Sequence, residues 1–92
     1  MCEEKAWFVY ILRCKDGTLY TGVTDNVKKR LAAHRSGKGA KYTKGRCPLT
    51  LHYVEQCNTK GDALRREFAI KGLKTEAKRA LISVEPLDEE KV

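Results

Sequence analysis

The sequence predicts an α+β domain: a small three-stranded antiparallel sheet flanked by helices, in the order β-β-α-β-α-α. Two segments rich in aromatic and β-branched residues, at 7–13 and 18–24, are separated by an Asp-Gly pair typical of hairpin turns. Later segments carry helix caps and helical spacing. A chain of 92 residues with 41% hydrophobic content suits one core but not two. We therefore expect one domain at residues 1–84.

The first two strands are expected to form a hairpin around Asp16-Gly17. Gly22 interrupts the second strand, which indicates either a bulge or a place where another group lies close to the backbone. The partner of the third strand is not evident from the sequence. We place the first strand at the centre of the sheet because it is the most apolar of the three.

Capping residues and helix breakers delimit the remaining elements. A cap within residues 24–26 begins the first helix, and Gly37 stops it. Asn58 or Thr59 opens the second helix. Pro86 is expected to end the ordered structure, leaving residues 85–92 as an acidic, flexible tail. In chain order we expect a helix from 27 to about 35, a loop at 37–48, a strand at 49–57, a helix to about 73 and a short helix at 75–82.

The charge distribution indicates a polyanionic partner. The chain has 19 Lys and Arg against 12 Asp and Glu, a net charge of +7. Residues 28–46 contain eight basic residues and no acidic one, a density that repels itself unless anions lie beside it. A merely solvated basic face is the weaker alternative. We expect nucleic acid, DNA in particular, to contact Lys38, Lys41, Tyr42, Lys44 and Arg46.

Cysteine spacing and hydropathy exclude several other classes of protein. The four cysteines form no C-x-x-C pair, so neither a zinc cluster nor a thioredoxin-like motif is indicated. The longest apolar run, residues 6–12, is too short to span a membrane, and no signal peptide precedes it. We expect a cytoplasmic protein with reduced thiols that does not bind membranes and is a monomer by default.

Helical spacing places ionisable side chains beside the expected buried faces. In the first helix, His34 lies nearly in line with the apolar Val27, and Arg30 lies at the edge of that stripe. In the second helix we expect Leu64 and Phe68 to mark the buried side, with Glu67 at its edge. Such groups need a partner. From this pattern alone, an Arg30–Glu67 structural ion pair is slightly favoured over an active site.

Two tyrosines shift that balance. Tyr10 and Tyr20 lie on either side of the predicted turn, so both phenols can point to one face of the sheet. Two core tyrosines are the default interpretation. Beside an arginine, a histidine and a glutamate, and near a basic loop, they are more typical of a site that handles phosphate.

These residues together resemble the GIY-YIG nucleases, and in particular their small single-domain branch of UPF0213-like proteins. The first motif corresponds to residues 8–10, Phe-Val-Tyr, and the second to residues 20–22, Tyr-Thr-Gly. The arginine, histidine and glutamate positions correspond to Arg30, His34 and Glu67, and the resemblance spans residues 7 to about 83. Two features depart from the family. Phe8-Val9 replaces Gly-Ile, and the downstream asparagine of some members has no equivalent.

The resemblance implies a metal-dependent nuclease that hydrolyses phosphodiester bonds in DNA with little sequence specificity. Glu67 would hold Mg²⁺ or Mn²⁺, and Arg30 would stabilise the charged phosphate. Tyr10 or Tyr20 would activate water, with His34 orienting the water or sharing its proton. Because a phenol titrates near 10, this role requires nearby cations to lower its pKa.

Two other functions stay open on the sequence alone. One is a non-catalytic, basic nucleic-acid-binding module that retains the nuclease fold and does not need Glu67. The other is a protein-interaction domain in which the acidic tail is the working part. The presence of Arg30, Glu67 and both tyrosines favours the nuclease.

Overall fold

A computed structural model describes residues 6–36, 49–82 and 85–88, and it confirms the predicted α+β class and element order. The predicted nucleic-acid contacts at Lys38, Lys41, Tyr42, Lys44 and Arg46 lie outside the described residues. The elements are β1 (Trp7–Arg13), β2 (Leu19–Thr24), α1 (Val27–Arg35), β3 (Thr50–Cys57), α2 (Lys60–Lys71) and α3 (Thr75–Leu81).

The sheet is antiparallel with the strand order β2-β1-β3, so the apolar β1 is central, as predicted. The hairpin turn closes through a 2.8 Å hydrogen bond from the Cys14 N–H to the Thr18 carbonyl. Gly17 adopts a φ of 84°, which glycine tolerates without strain. β3 contains one extra residue opposite the step from Ile11 to Leu12, which is a β-bulge at His52.

The helices cover opposite faces of this sheet. Alternation along β1 sends Tyr10 and Leu12 to the face that packs against Val27 and Leu31 of α1. The intervening Val9 and Ile11 pack on the other face against Ala63 and Ile70 of α2. Both faces of β1 are therefore buried, which explains its nearly continuous apolar sequence.

The two longer helices begin at side-chain caps that the sequence predicted within narrow ranges. The Asn26 Oδ1 accepts a 3.0 Å hydrogen bond from the Lys29 N–H at the start of α1. The Thr59 Oγ1 accepts a 3.1 Å bond from the Asp62 N–H at the start of α2. Each cap satisfies a backbone donor that has no partner within its helix.

The rotation of α2 about its axis differs from the sequence prediction. Phe68 is 81% exposed and Leu64 is 45% exposed, so the expectation that they mark the buried side is wrong. The buried residues are Ala63 and Ile70, two turns apart on one stripe. The stripe faces the sheet, where both residues pack against Val9 and Ile11, and Arg66 beside it forms a 3.1 Å ion pair with Glu55 of β3.

The chain returns to the sheet after α3. The Leu87 N–H donates a 2.7 Å hydrogen bond to the Leu51 carbonyl, and the Leu87 side chain packs against the α1-side core. Ordered structure thus continues past Pro86, contrary to expectation. The division into a domain at 1–84 and a tail at 85–92 stays a prediction.

Candidate active site

Three aromatic rings form the centre of the candidate site. Tyr20 lies opposite Leu12 in the β1–β2 ladder, so its side chain shares a face with Tyr10, as predicted. The Tyr10 and Tyr20 ring centroids are 6.3 Å apart. His34 of α1 packs edge-on against both rings, at 5.9 Å from Tyr10 and 5.3 Å from Tyr20. Both strands and α1 therefore contribute to one cluster.

Gly22 makes room for the Tyr10 ring. The two residues are directly opposite in the ladder. A Cβ atom at position 22 would lie 2.5 Å from the Tyr10 hydroxyl oxygen and 2.6 Å from Cζ, well inside van der Waals contact. The sequence indicated that another group lies close to the backbone at this glycine. That group is the phenol of Tyr10, the tyrosine of the first motif. The glycine of the second motif is required by the tyrosine of the first.

A buried hydrogen bond joins Tyr10 to His34. The Tyr10 hydroxyl lies 2.8 Å from the His34 Nε2, and both residues are 1% exposed. Burial raises the pKa of the Tyr10 phenol to about 12, and the neighbouring Arg30 lowers it by less than burial raises it. Arg30 alone therefore does not bring this phenol into the range of a base. Tyr10 is a neutral phenol at physiological pH.

His34 is also neutral. Burial, together with the positive charge of Arg30, lowers its pKa to about 4. Arg30 itself is half-buried at the edge of the cluster. The pKa of its guanidinium is raised, chiefly by its polar interaction with the Tyr10 hydroxyl and to a lesser extent by Tyr20. A permanent cation therefore lies beside two phenols and an uncharged imidazole.

Glu67 lies on α2 and forms an ion pair with Lys71 instead of Arg30. Its carboxylate is 3.5 Å from the Lys71 Nζ, one helical turn away. Its negative charge contributes to the raised pKa of Tyr10, so it lies near enough to act on the cluster. Within the described ranges, no ion pair joins Glu67 to Arg30. The structural ion pair that the spacing slightly favoured is therefore not formed.

The sequence prediction of the site did not include Lys71. It lines a hollow of about 320 Å³ with Leu19, Tyr20, Thr21 and Lys78. The sequence did indicate that Lys71 lies near Glu67, because it follows Glu67 by four residues on the same face of a helix. His52 is buried in the bulge, and its Nε2 lies 3.0 Å from the Thr50 Oγ1.

Comparison with known proteins identifies the family. Residues 6–80 match the family described as the GIY-YIG catalytic domain. This chain belongs to the GIY-YIG family. The five residues that resemble the family's motifs all lie within this match: Tyr10, Tyr20, Arg30, His34 and Glu67. The GIY-YIG domain points to a nuclease superfamily.

Similar GIY-YIG proteins are spread over distant bacteria. A UPF0213 protein of Desulfotalea psychrophila is 49% identical over 81 residues, which cover 87% of this chain and 74% of that protein. Another, from Clostridium perfringens, is 51% identical over 83 residues, covering 90% and 89%. The NMR structure of a UPF0213 protein from Bacillus halodurans has 46% identity and a TM-score of 0.55, covering 83% of this chain and 81% of that one. An E. faecalis protein has 36% identity and a TM-score of 0.59, covering 88% of both chains.

In the part of this GIY-YIG protein that the structure describes, no helix has the length and apolar character needed to cross a membrane.

The buried His34 predicts a loss of stability in mild acid. An unfolded chain binds the histidine proton near pH 6.5, whereas the folded site, with Tyr10, Tyr20 and Arg30 around the ring, binds it only near pH 4. The free energy of unfolding should therefore fall as the pH drops from about 6.5 towards 4, by at most about 3 kcal/mol from this group. Urea unfolding at several pH values measures the effect.

His34→Gln is the matched variant for this experiment, because other groups that titrate in the same range remain in both proteins. Its free energy of unfolding should depend less on pH than that of the parent protein. Parallel pH profiles for the two proteins would show that His34 takes up its proton normally in the folded state.

Proposed function

We propose that this GIY-YIG domain is a metal-dependent nuclease that hydrolyses phosphodiester bonds in DNA with little sequence specificity. The observation that supports it most directly is the placement of Arg30 beside the hydroxyls of Tyr10 and Tyr20 rather than against a structural carboxylate. A cation held among polar, uncharged partners keeps its charge available for an anionic substrate. The position of Glu67 near the same cluster adds a ligand for a metal.

Arg30 is proposed to bind the phosphate that is cleaved. A guanidinium is planar and presents several N–H donors, which suits two phosphate oxygens better than an ammonium does. Its positive charge stabilises the reaction most where negative charge develops in the transition state. The neutral His34 and the two phenols hold this cation without neutralising it.

Tyr10 and Tyr20 are proposed to have different roles. Tyr10 is buried, protonated and hydrogen-bonded to His34, so it positions the cluster and does not contact bulk water. Tyr20 is only partly buried and lines the hollow beside Lys71. We therefore assign contact with the attacking water to the Tyr20 hydroxyl. Its ring rests against His34, whose packing fixes its orientation.

Glu67 is proposed to hold Mg²⁺, or Mn²⁺ in its place. Among the described residues, no three His, Cys, Asp or Glu side chains converge on one point, and Glu67 is the carboxylate whose charge acts on the cluster. This donor fits Mg²⁺, which binds through one or two carboxylates plus substrate phosphates and keeps several waters. When bound, such a cation polarises a phosphoryl oxygen and stabilises the leaving oxygen. Holding a cation there would require the Lys71 ammonium to move away from the Glu67 carboxylate.

A cleavage assay tests the proposal. Purified protein is incubated with labelled linear, branched and single-stranded DNA and RNA, in the presence of Mg²⁺, Mn²⁺ or EDTA. We expect cleavage of DNA with either metal and none with EDTA. Absence of cleavage on every substrate would reject the nuclease function.

The second candidate function is a non-catalytic nucleic-acid-binding module. The contact between Lys71 and Glu67 favours it, because this ion pair partly neutralises the proposed metal ligand. This function predicts salt-dependent binding in the same samples without cleavage under any metal condition.

The basic loop predicts salt-sensitive binding to nucleic acid. Each phosphate contact by a lysine or arginine releases counterions, so the affinity falls as salt rises. Replacing the four loop cations by alanine should flatten the slope of log affinity against log salt by up to about 4 units. Arg65→Ala is the control, because Arg65 is already paired with Asp62 on the exposed side of α2. A quadruple variant with the parent slope would exclude the loop as a binding surface. The four residues are Lys38, Lys41, Lys44 and Arg46.

A further inference from the structure

Two adjoining hollows lie along β2, the edge strand of the described sheet. One is a hollow of about 320 Å³ between the hairpin turn and α3, and the other is the hollow of similar volume beside Tyr20. Both are lined by Leu19 and Lys78, so the two hollows adjoin, and together we call them the β2-edge groove. β2 is an edge strand, and the helices that follow β3 provide the opposite wall. The groove thus leads from the hairpin turn to the candidate active site.

The helical wall of the β2-edge groove is positively charged. Its three cations are Lys71, Lys78 and Arg79. Lys71 is paired with Glu67, but neither Lys78 nor Arg79 makes an ion pair with any residue in the described ranges. Lys78 is also partly buried in the wall, where a cation gains more from an anion than it would in open water.

One acidic side chain lies at the far end of the groove. Asp16 lines the hollow at the hairpin turn, where its carboxylate accepts hydrogen bonds from the Thr18 hydroxyl at 2.6 Å and the Thr18 N–H at 3.1 Å. Its negative charge opposes an anion at that point. The most favourable path for an anion therefore runs from Arg79 and Lys78 towards Tyr20.

We propose that one strand of the nucleic-acid substrate lies with its phosphate backbone in the β2-edge groove, contacted by Arg79 and Lys78. This inference rests on the proposed function, and it places a binding surface outside both the aromatic cluster and the basic loop. A backbone following the groove arrives at Tyr20 and at Lys71, whose ammonium touches the Glu67 carboxylate. The groove thereby delivers a phosphodiester to the residues that the proposed reaction requires. The contacts are made to phosphates, so they carry no sequence information.

Single substitutions along α3 test the groove. Lys78→Ala and Arg79→Ala each remove a cation that lines it, whereas Lys74→Ala removes an equal charge one helical turn from Lys78 that lines neither hollow. Lys74 is also the N-cap of α3 without a side-chain capping bond, so its truncation leaves the cap unchanged. Binding is measured at several salt concentrations with labelled oligothymidine and with a duplex of equal length.

We expect Lys78→Ala and Arg79→Ala each to reduce the slope of log affinity against log salt by about 0.7 to 1 unit. Lys74→Ala should keep the parent slope, and Lys78→Arg should restore most of the slope lost in Lys78→Ala. Asp16→Asn, which keeps the acceptor for Thr18, should tighten binding. Equal melting temperatures show that α3 is intact in each variant. Polyglutamate should not displace the oligonucleotide at matched charge concentration.

The results separate the two proposals. A parent protein that binds and cleaves DNA, with unchanged slopes in Lys78→Ala and Arg79→Ala, would overturn the groove and leave the nuclease function standing. An equal loss in Lys74→Ala, or displacement by polyglutamate, would also overturn the groove, because the effect would then reflect net charge or an acidic peptide partner. A parent protein that neither binds nor cleaves nucleic acid would reject both proposals.

Discussion

Glu67→Gln is expected to lower the rate of DNA cleavage by at least about 100-fold while DNA binding is retained. The amide keeps the shape of the side chain but loses the negative charge that holds a divalent cation. Binding should tighten slightly, because one negative charge near the substrate phosphate is removed. Glu76→Gln on α3 is the control: it makes the same change in the first turn of an exposed helix and should cleave normally.

Arg30→Ala is expected to show the same separation of cleavage from binding. It removes a cation from the place where negative charge develops, so the loss of rate is again on the order of 100-fold or more. Arg30→Lys should recover only part of the activity, because an ammonium lacks the planar pair of donors. Rates are compared under single-turnover conditions, and DNA affinity is measured separately.

Melting temperatures distinguish this interpretation from a purely structural role. A structural Arg30–Glu67 ion pair would make each single variant less stable, while the double change Arg30→Met/Glu67→Met would recover much of the loss. Because no such pair is formed, we expect small and additive effects on the melting temperature. If Glu67→Gln cleaves DNA at the full rate, Glu67 does not belong to the active site, and the nuclease assignment of this site is rejected.

Gly22→Ala is expected to destabilise the protein by about 1 to 3 kcal/mol, which lowers the melting temperature by roughly 5 to 20 °C in a domain of this size. The added Cβ would lie 2.5 Å from the Tyr10 hydroxyl and 2.6 Å from Cζ. The Tyr10 ring cannot move away freely, because it is buried and hydrogen-bonded to His34. Because the cluster is displaced, the variant should also cleave DNA more slowly.

Gly61→Ala is the matched control, because a Cβ at position 61 of α2 meets no atom closer than 3.8 Å. Alanine is a better helix former than glycine, so this variant should be as stable as the parent or slightly more stable. Adding Tyr10→Phe to Gly22→Ala removes the hydroxyl clash but not the clash with Cζ, so stability should return only in part. A Gly22→Ala variant with the same melting temperature as the parent protein would contradict the close packing of Tyr10 on this glycine.

The features that the sequence by itself determined are those decided by neighbouring residues. The hairpin forms at Asp16-Gly17 because glycine accepts the positive φ of the turn. The helices begin at Asn26 and Thr59 because these side chains bond to backbone donors three residues later. The shared face of Tyr10 and Tyr20 follows from the alternation of the strands. The order of the motif residues was likewise sufficient to indicate the family.

Tertiary structure alone decided the features that depend on contacts between distant segments. The rotation of α2 follows from its packing on the sheet, so Phe68 is exposed although it is more apolar than the buried Ala63. The pKa values of Tyr10 and His34 arise chiefly from burial, together with the charge of Arg30, which lies on a distant segment of the chain. Arg30 lies beside the phenols because α1 packs over their face of the sheet. Burial and electrostatic fields are properties of the packed chain, and for this reason the local sequence does not reveal them.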